Sequence, residues 1–163
     1  MDKARLLANL GTLRRRLVGL ADHEQPAGLT DPDPDTPEER WDAAQVWAHV
    51  AEFVGYWHAQ MAEVVRLYDG APVPFGRIKT DAGRIHAIEV GRHRSIADLA
   101  AEADRGIVAL AAYLATLDHD AWQARGLHQT RGVMDVPAMV ERFILNHLDE
   151  RAAQLEGLAA AQN

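Results

Sequence analysis

Apolar residues recur at steps of three and four along four long stretches of this chain, and that spacing suits helices packed side by side far better than any sheet. In the first stretch, residues 2–21, Leu6, Leu10, Leu13, Leu17 and Leu20 form the seam. The second opens at Asp42, with Gln45 three residues on as a capping box. Its seam is Trp47, Val50, Val54, Trp57, Met61 and Val64, and it stops near Tyr68, before Asp69-Gly70 and the prolines 72 and 74. The third opens at Ser95 with Asp98 behind it, carries Leu99, Ala103, Ile107, Leu110, Leu114 and Leu117, and ends near Asp118. The fourth is capped by Asp135, and Pro137 is tolerated in its first turn because the N–H it lacks has no intrahelical acceptor there. Four such segments joined by loops predict an all-α four-helix bundle, as one domain over residues 1–163.

The connections are long. Residues 22–40 are rich in Pro, Asp and Glu and have no hydrophobic period, apart from a short turn with Thr36 as cap, Pro37 first and Glu39 third. This acidic loop is expected to be mobile rather than to flank a site. Residues 70–94 hold four glycines and several basic residues, with a short helix expected from Asp81 to Val90 and a solvated His86. Between Asp118 and Met134 lies a last loop containing Trp122, His128 and Gly132. No internal repeat, Gly-rich phosphate loop or strand pattern longer than a few residues is present.

Composition narrows the function classes. A net charge of −7, with no basic stripe interleaved with aromatics, argues against a nucleic-acid partner. The chain has no cysteine, so thiol chemistry would have to come from a partner molecule. No apolar run approaches the length of a membrane span or forms a signal-peptide core, so the expectation is a cytoplasmic protein without a membrane partner. The basic face of the first helix, Lys3, Arg5, Arg14, Arg15 and Arg16, reads as solvated surface.

The last helix breaks the apolar rule. At 100° per residue, Val136, Met139, Val140, Phe143, Ile144, Leu155 and Leu158 share one arc. His147 falls at its centre, Arg151 falls within it one turn on, and Glu150 sits at the edge. Unpaired polar groups buried in a core cost several kcal/mol, so these residues need a polar network or a ligand. On the second helix His49 lies beside the seam, flanked by Phe53 and Tyr56, while His58 points elsewhere and is expected at the surface. His49 and His147 are the candidates for an inward-facing site, with Glu150, Arg151, Glu52 and Tyr56 within reach. Two converging imidazoles suit Zn²⁺, Ni²⁺ or Fe²⁺. Position 151 would be the natural third ligand, and a guanidinium cannot ligate a metal.

Two motifs carry a family resemblance. WDAAQVWAHVAEF, residues 41–53, resembles the start of the second helix in the DinB/YfiT-like superfamily, which includes mycothiol-dependent maleylpyruvate isomerases; there a Trp and a capping residue shortly precede a His. ILNHLDERAAQL, residues 144–155, resembles that superfamily's last-helix motif of His, three residues, then His. The resemblance implies a four-helix bundle of DinB/YfiT type holding a divalent metal, zinc or nickel, through three side chains at one end of the bundle. It also implies, for several relatives, that the metal activates a low-molecular-weight thiol such as mycothiol or bacillithiol. A metal-bound thiol is deprotonated outright and is a strong nucleophile at neutral pH. On this resemblance His49 matches the first ligand and His147 the second. Arg151 stands where the third His is expected, and Phe143 stands where some relatives place a Glu. Glu150, next to Arg151, is then the substitute ligand.

Three readings follow. One is a pocket that binds a small anionic ligand without a complete metal site, with Arg151 clamping the anion and Tyr56 and Glu52 lining it. The second is a metal-dependent transferase, isomerase or hydrolase using His49, His147 and Glu150. The third is a structural or interaction bundle in which His147, Arg151 and a carboxylate such as Glu52 satisfy one another, with a homodimer through an exposed helix face.

Overall fold

The computed structural model describes residues 2–32 and 38–160. The turn expected at Thr36 and Pro37 lies outside the described residues. The long helices are α1 (Lys3–Ala21), α2 (Ala43–Leu67) and α4 (Ile96–Thr116), with a final helical stretch running from Val136 to Ala160. The last three begin at their expected caps, and α1 begins at a further cap, Asp2. Asp2 accepts from the Arg5 N–H, Ser95 from Asp98 and Asp135 from Ala138. Asp42 and Gln45 close the capping box in both directions. α1 packs on α4 and on the final helix, and α2 packs on the same two, giving the expected bundle. The seams become its core: Leu6, Leu10, Val46, Trp47, Val50, Val54, Leu110, Leu114 and Ile144 are fully enclosed. No helix among the described residues is long and apolar enough to cross a membrane.

The connections hold more structure than their sequence suggests. The short helix expected in the second connection forms as α3 (Ala82–Gly91), capped by Asp81 and packed on α2. Ahead of it runs β1 (Val73–Phe75), and the supposed loop after α4 contains α5 (His119–Trp122), β2 (Arg125–His128) and β3 (Gly132–Asp135). β1 and β2 pair in parallel, Phe75 opposite His128, while β2 and β3 form an antiparallel hairpin with Leu127 opposite Val133. Strands of three or four residues leave too short an alternation to read as strands. The close approach of backbone to side chain is what fixes this sheet to the helices. A Cβ at Gly126 would lie 2.4 Å from Phe75 and 2.8 Å from Met139.

The final helical stretch is not one regular helix. α6 (Val136–Val140) passes into a π-helical turn, Glu141–Leu145, and then into α7 (Asn146–Ala160). The N–H of Asn146 donates to the carbonyl of Glu141, five residues back instead of four. An extra residue in the turn rotates everything after it by about 100°. The α-helical wheel holds up to Ile144, and beyond the turn Leu155 and Leu158 are still buried as expected, but other positions change places. Leu148 and Ala152 are enclosed, whereas His147, expected at the centre of the core arc, lies half-buried at its edge. Arg151 stays buried at 7% exposure, and Glu150 is exposed.

The basic face of α1 is also more engaged than a solvated surface. Arg14 pairs with Asp104 of α4 at 2.6 Å, and Arg16 bridges Asp149 and Glu156 of α7 at 2.6 and 2.7 Å.

Candidate functional site

A cavity of about 1140 Å³ opens beside α2, the π-turn and α7, and its wall includes His49, His147 and Arg151. Sequence placed these three side chains in one hollow, and the structure brings them to it.

His49 is 3% exposed and packs against Trp41, Phe53 and His147, with ring centroids 5.1, 5.0 and 6.3 Å away. It is thus enclosed. Its Nδ1 has no hydrogen-bond partner and faces Glu52 Oε2 at 3.8 Å. Burial above all, then the positive charges of Arg151 and Arg84, holds its pKa well below the usual histidine range. His147 sets Nδ1 3.3 Å from the carbonyl of Arg142, and burial followed by the charge of Arg151 lowers its pKa too.

Arg151 donates to Gln154 at 2.7 Å and lies 3.5 Å from Glu150, and its guanidinium sits 5.2 Å from the Trp41 ring centroid. Arg84 approaches the same indole at 5.3 Å while bonding Glu39 and the carbonyl of Lys79. The two buried guanidiniums share one aromatic ring, an arrangement that replaces part of their lost hydration by attraction to its π face.

Glu52 and Tyr56 do come together, through a residue that sequence reading missed. Arg77 bonds the Glu52 carboxylate, at 2.6 Å to Oε2, and lies 3.8 Å over the Tyr56 ring. Glu52 is therefore engaged by Arg77, and the carboxylate beside Arg151 is Glu150 rather than Glu52. His128 was also passed over. It is buried, lies tilted against Phe143 at 5.1 Å, and is held by the carbonyl of Arg77 and by Thr130. The acidic connection, expected to be mobile, supplies Leu29, Thr30, Asp31 and Pro32 to the cavity wall, with Thr30 accepting from the Trp41 N–H. His58 is half-buried against Tyr113 rather than at the surface, and His86 is exposed as expected.

The residues present do not fit a three-ligand divalent metal. Among the described residues no three His, Asp or Glu side chains gather as a metal site. Glu150, the substitute ligand, keeps 57% of its side chain exposed and leans on Arg151. The buried donor at the third corner is a guanidinium, which repels a cation. What the cavity offers instead is positive charge. Its described wall carries Arg77, Lys79, Arg84, Arg131, Arg142 and Arg151 against Asp31 and Glu150. The basic residues of the second connection were visible in sequence, and what could not be seen there is that the sheet turns them toward α7.

No protein-family model matches the chain, and no curated protein matches it in sequence. Solved structures do match in fold. YfiT from Bacillus subtilis, described as a probable metal-dependent hydrolase with an unusual four-helix bundle topology, superposes with a TM-score of 0.75 at 15% identity, over 99% of this chain and 87% of that one. A mycothiol-dependent maleylpyruvate isomerase superposes at 0.70 and 14% identity, and a histidine-to-alanine variant of it at 0.69 and 12%. Both matches cover 95% of this chain but only 61% of the isomerase, so the chain spans about three fifths of that enzyme. The fold is thus the one the two sequence motifs implied.

Proposed function

We propose that this chain binds a small anionic molecule in the cavity between α2 and α7, with Arg151 as the principal anchor. The observation that carries this reading is the inversion of charge. A chain with net charge −7 lines the described wall of its cavity with six cationic and two acidic side chains, and the wall keeps a cationic excess after Glu52 pairs with Arg77 and Glu39 with Arg84. Arg131 and Arg142 make no ion pair among the described residues, which leaves their charge for a ligand. A planar guanidinium meets a carboxylate or phosphate through two parallel hydrogen bonds, and its value rises where water is excluded. Trp57 and Phe143, stacked 4.0 Å apart on the same wall, add an apolar surface for the body of the ligand.

The test is calorimetric titration of small carboxylates and inorganic phosphate into the native protein and into Arg151→Gln. Binding by the native chain that weakens about tenfold or more in the variant supports the reading, since a charge-assisted hydrogen bond contributes about 1.5–3 kcal/mol. No binding of any of these anions, or binding indifferent to Arg151, overturns it.

A metal-dependent reading is favoured by one fact, the fold shared with proteins described as metal-dependent and mycothiol-dependent. It requires a third ligand that position 151 does not provide.

A further inference from the structure

The two nitrogens of His49 face different surroundings, and the difference constrains the ligand. Nδ1 is buried, has no hydrogen-bond partner and looks at Glu52 Oε2 across 3.8 Å. That gap is too long for a hydrogen bond and too short for a bridging water. A carboxylate at this range still acts through its charge, attracting an N–H and repelling a lone pair. Glu52 is fixed in place by Arg77, so the bias is built in. A neutral imidazole has one donor nitrogen and one acceptor. With the proton on Nδ1, the nitrogen left to the cavity that the ring lines is Nε2, carrying a bare lone pair.

His147 repeats the pattern. Its Nδ1 lies against the carbonyl of Arg142 at 3.3 Å, a contact only an N–H satisfies, so its Nε2 is also an acceptor. Two acceptor nitrogens therefore belong to the cavity wall that also carries Arg151. A ligand that offered only an anionic group would add to the partners Arg151 already has and leave the imidazole lone pairs facing it unmatched, which costs free energy in an enclosed site.

Resting on the anion-binding reading above, we infer that the ligand is a hydroxy acid, its acid group on Arg151 and its neighbouring hydroxyl donating to Nε2 of His49. The hydroxyl is the element that matches the histidine, and the acid the element that matches the arginine.

Three probes of one shape separate these elements: mandelate, its O-methyl ether and phenylacetate, titrated calorimetrically into the native protein, His49→Phe and Arg151→Gln. Mandelate is expected to bind the native protein about tenfold more tightly than the other two, the net worth of one well-placed hydrogen bond. In His49→Phe that preference disappears while all three still bind, and in Arg151→Gln all three weaken. Equal affinity for the three probes in the native protein, still dependent on Arg151, overturns the hydroxyl and leaves the anion site standing. Absence of binding by all three overturns the hydroxy-acid inference, while the anion site stands or falls with the titrations of small carboxylates and inorganic phosphate described above. A ligand-free check needs no variant. Long-range ¹H–¹⁵N correlation spectra of the native protein should show His49 protonated on Nδ1 and bare on Nε2, and the opposite tautomer overturns the inference outright.

Discussion

At the scale of single residues, His49 and Arg151 decide what the cavity can do. Arg151 occupies the corner where a third metal ligand would stand, one turn after His147 and against the same Trp41 ring that packs on His49. Arg151→His removes the cation and adds an imidazole beside two others. The variant is expected to gain tight, stoichiometric Zn²⁺ or Ni²⁺ binding on titration while the native protein binds neither tightly. No gain would mean that positions 49, 147 and 151 do not converge.

The histidines also set a pH dependence. His49, His147, His128 and His58 all have pKa values lowered first by burial. The unfolded chain takes up protons at these positions below about pH 6.5 while the folded chain does not. Stability is therefore complete above that pH and declines as the pH falls toward the folded values, by up to about 1.4 kcal/mol per unit for each histidine still neutral. Urea unfolding at pH 7.5 and pH 5.5 should show the loss, and His49→Phe should reduce it.

At the scale of elements, two features place the site. The first is the capping box that starts α2. Asp42 accepts from the Gln45 N–H at 2.8 Å and also pairs with Arg92 after α3, so one carboxylate ties two elements together. Asp42→Ala should cost about 1–2 kcal/mol in urea unfolding, more than Gln45→Ala, which removes only the reciprocal bond.

The second is the glycine that seats the sheet against the helices. Gly126→Ala would drive a methyl into Phe75 and Met139, and since both are enclosed they have little room to yield. A loss of about 1–3 kcal/mol is expected from such overpacking. Gly132→Ala in the same hairpin meets no neighbour, but its φ of +74° makes it a strain control of a different kind. A small effect of Gly126→Ala on unfolding would mean the sheet is not clamped as described.

At the scale of the molecule, charge is segregated. The chain as a whole is acidic while the described cavity wall is basic, so an anion is repelled at long range and held at short range. Salt screens the first effect within about 8 Å at physiological strength and reaches the enclosed charges less. Affinity for a bound anion should therefore fall only weakly with added NaCl, in contrast to a surface-bound one. Its binding should also raise the unfolding free energy by about 2.7 kcal/mol at a hundredfold excess over Kd, readable as a shift in Tm.

The sequence by itself determined the long helices and their starts, because caps and apolar spacing are local properties. Asp42 with Gln45, Ser95 with Asp98 and Asp135 each act within one turn of their own helix. It also singled out His147 and Arg151, since charge and imidazole on an apolar arc stand out wherever the helix packs, and His49 through the motif resemblance of residues 41–53. Tertiary structure alone decided three things. It inserted the π-turn at Glu141–Leu145, a rotation dictated by packing of the whole helix and carrying no local mark. It paired strands too short to show alternation. And it turned Arg77 and Arg84 from a distant connection toward the two histidines, because which charges meet in a cavity depends on how separate segments are brought together, and no spacing along the chain encodes that.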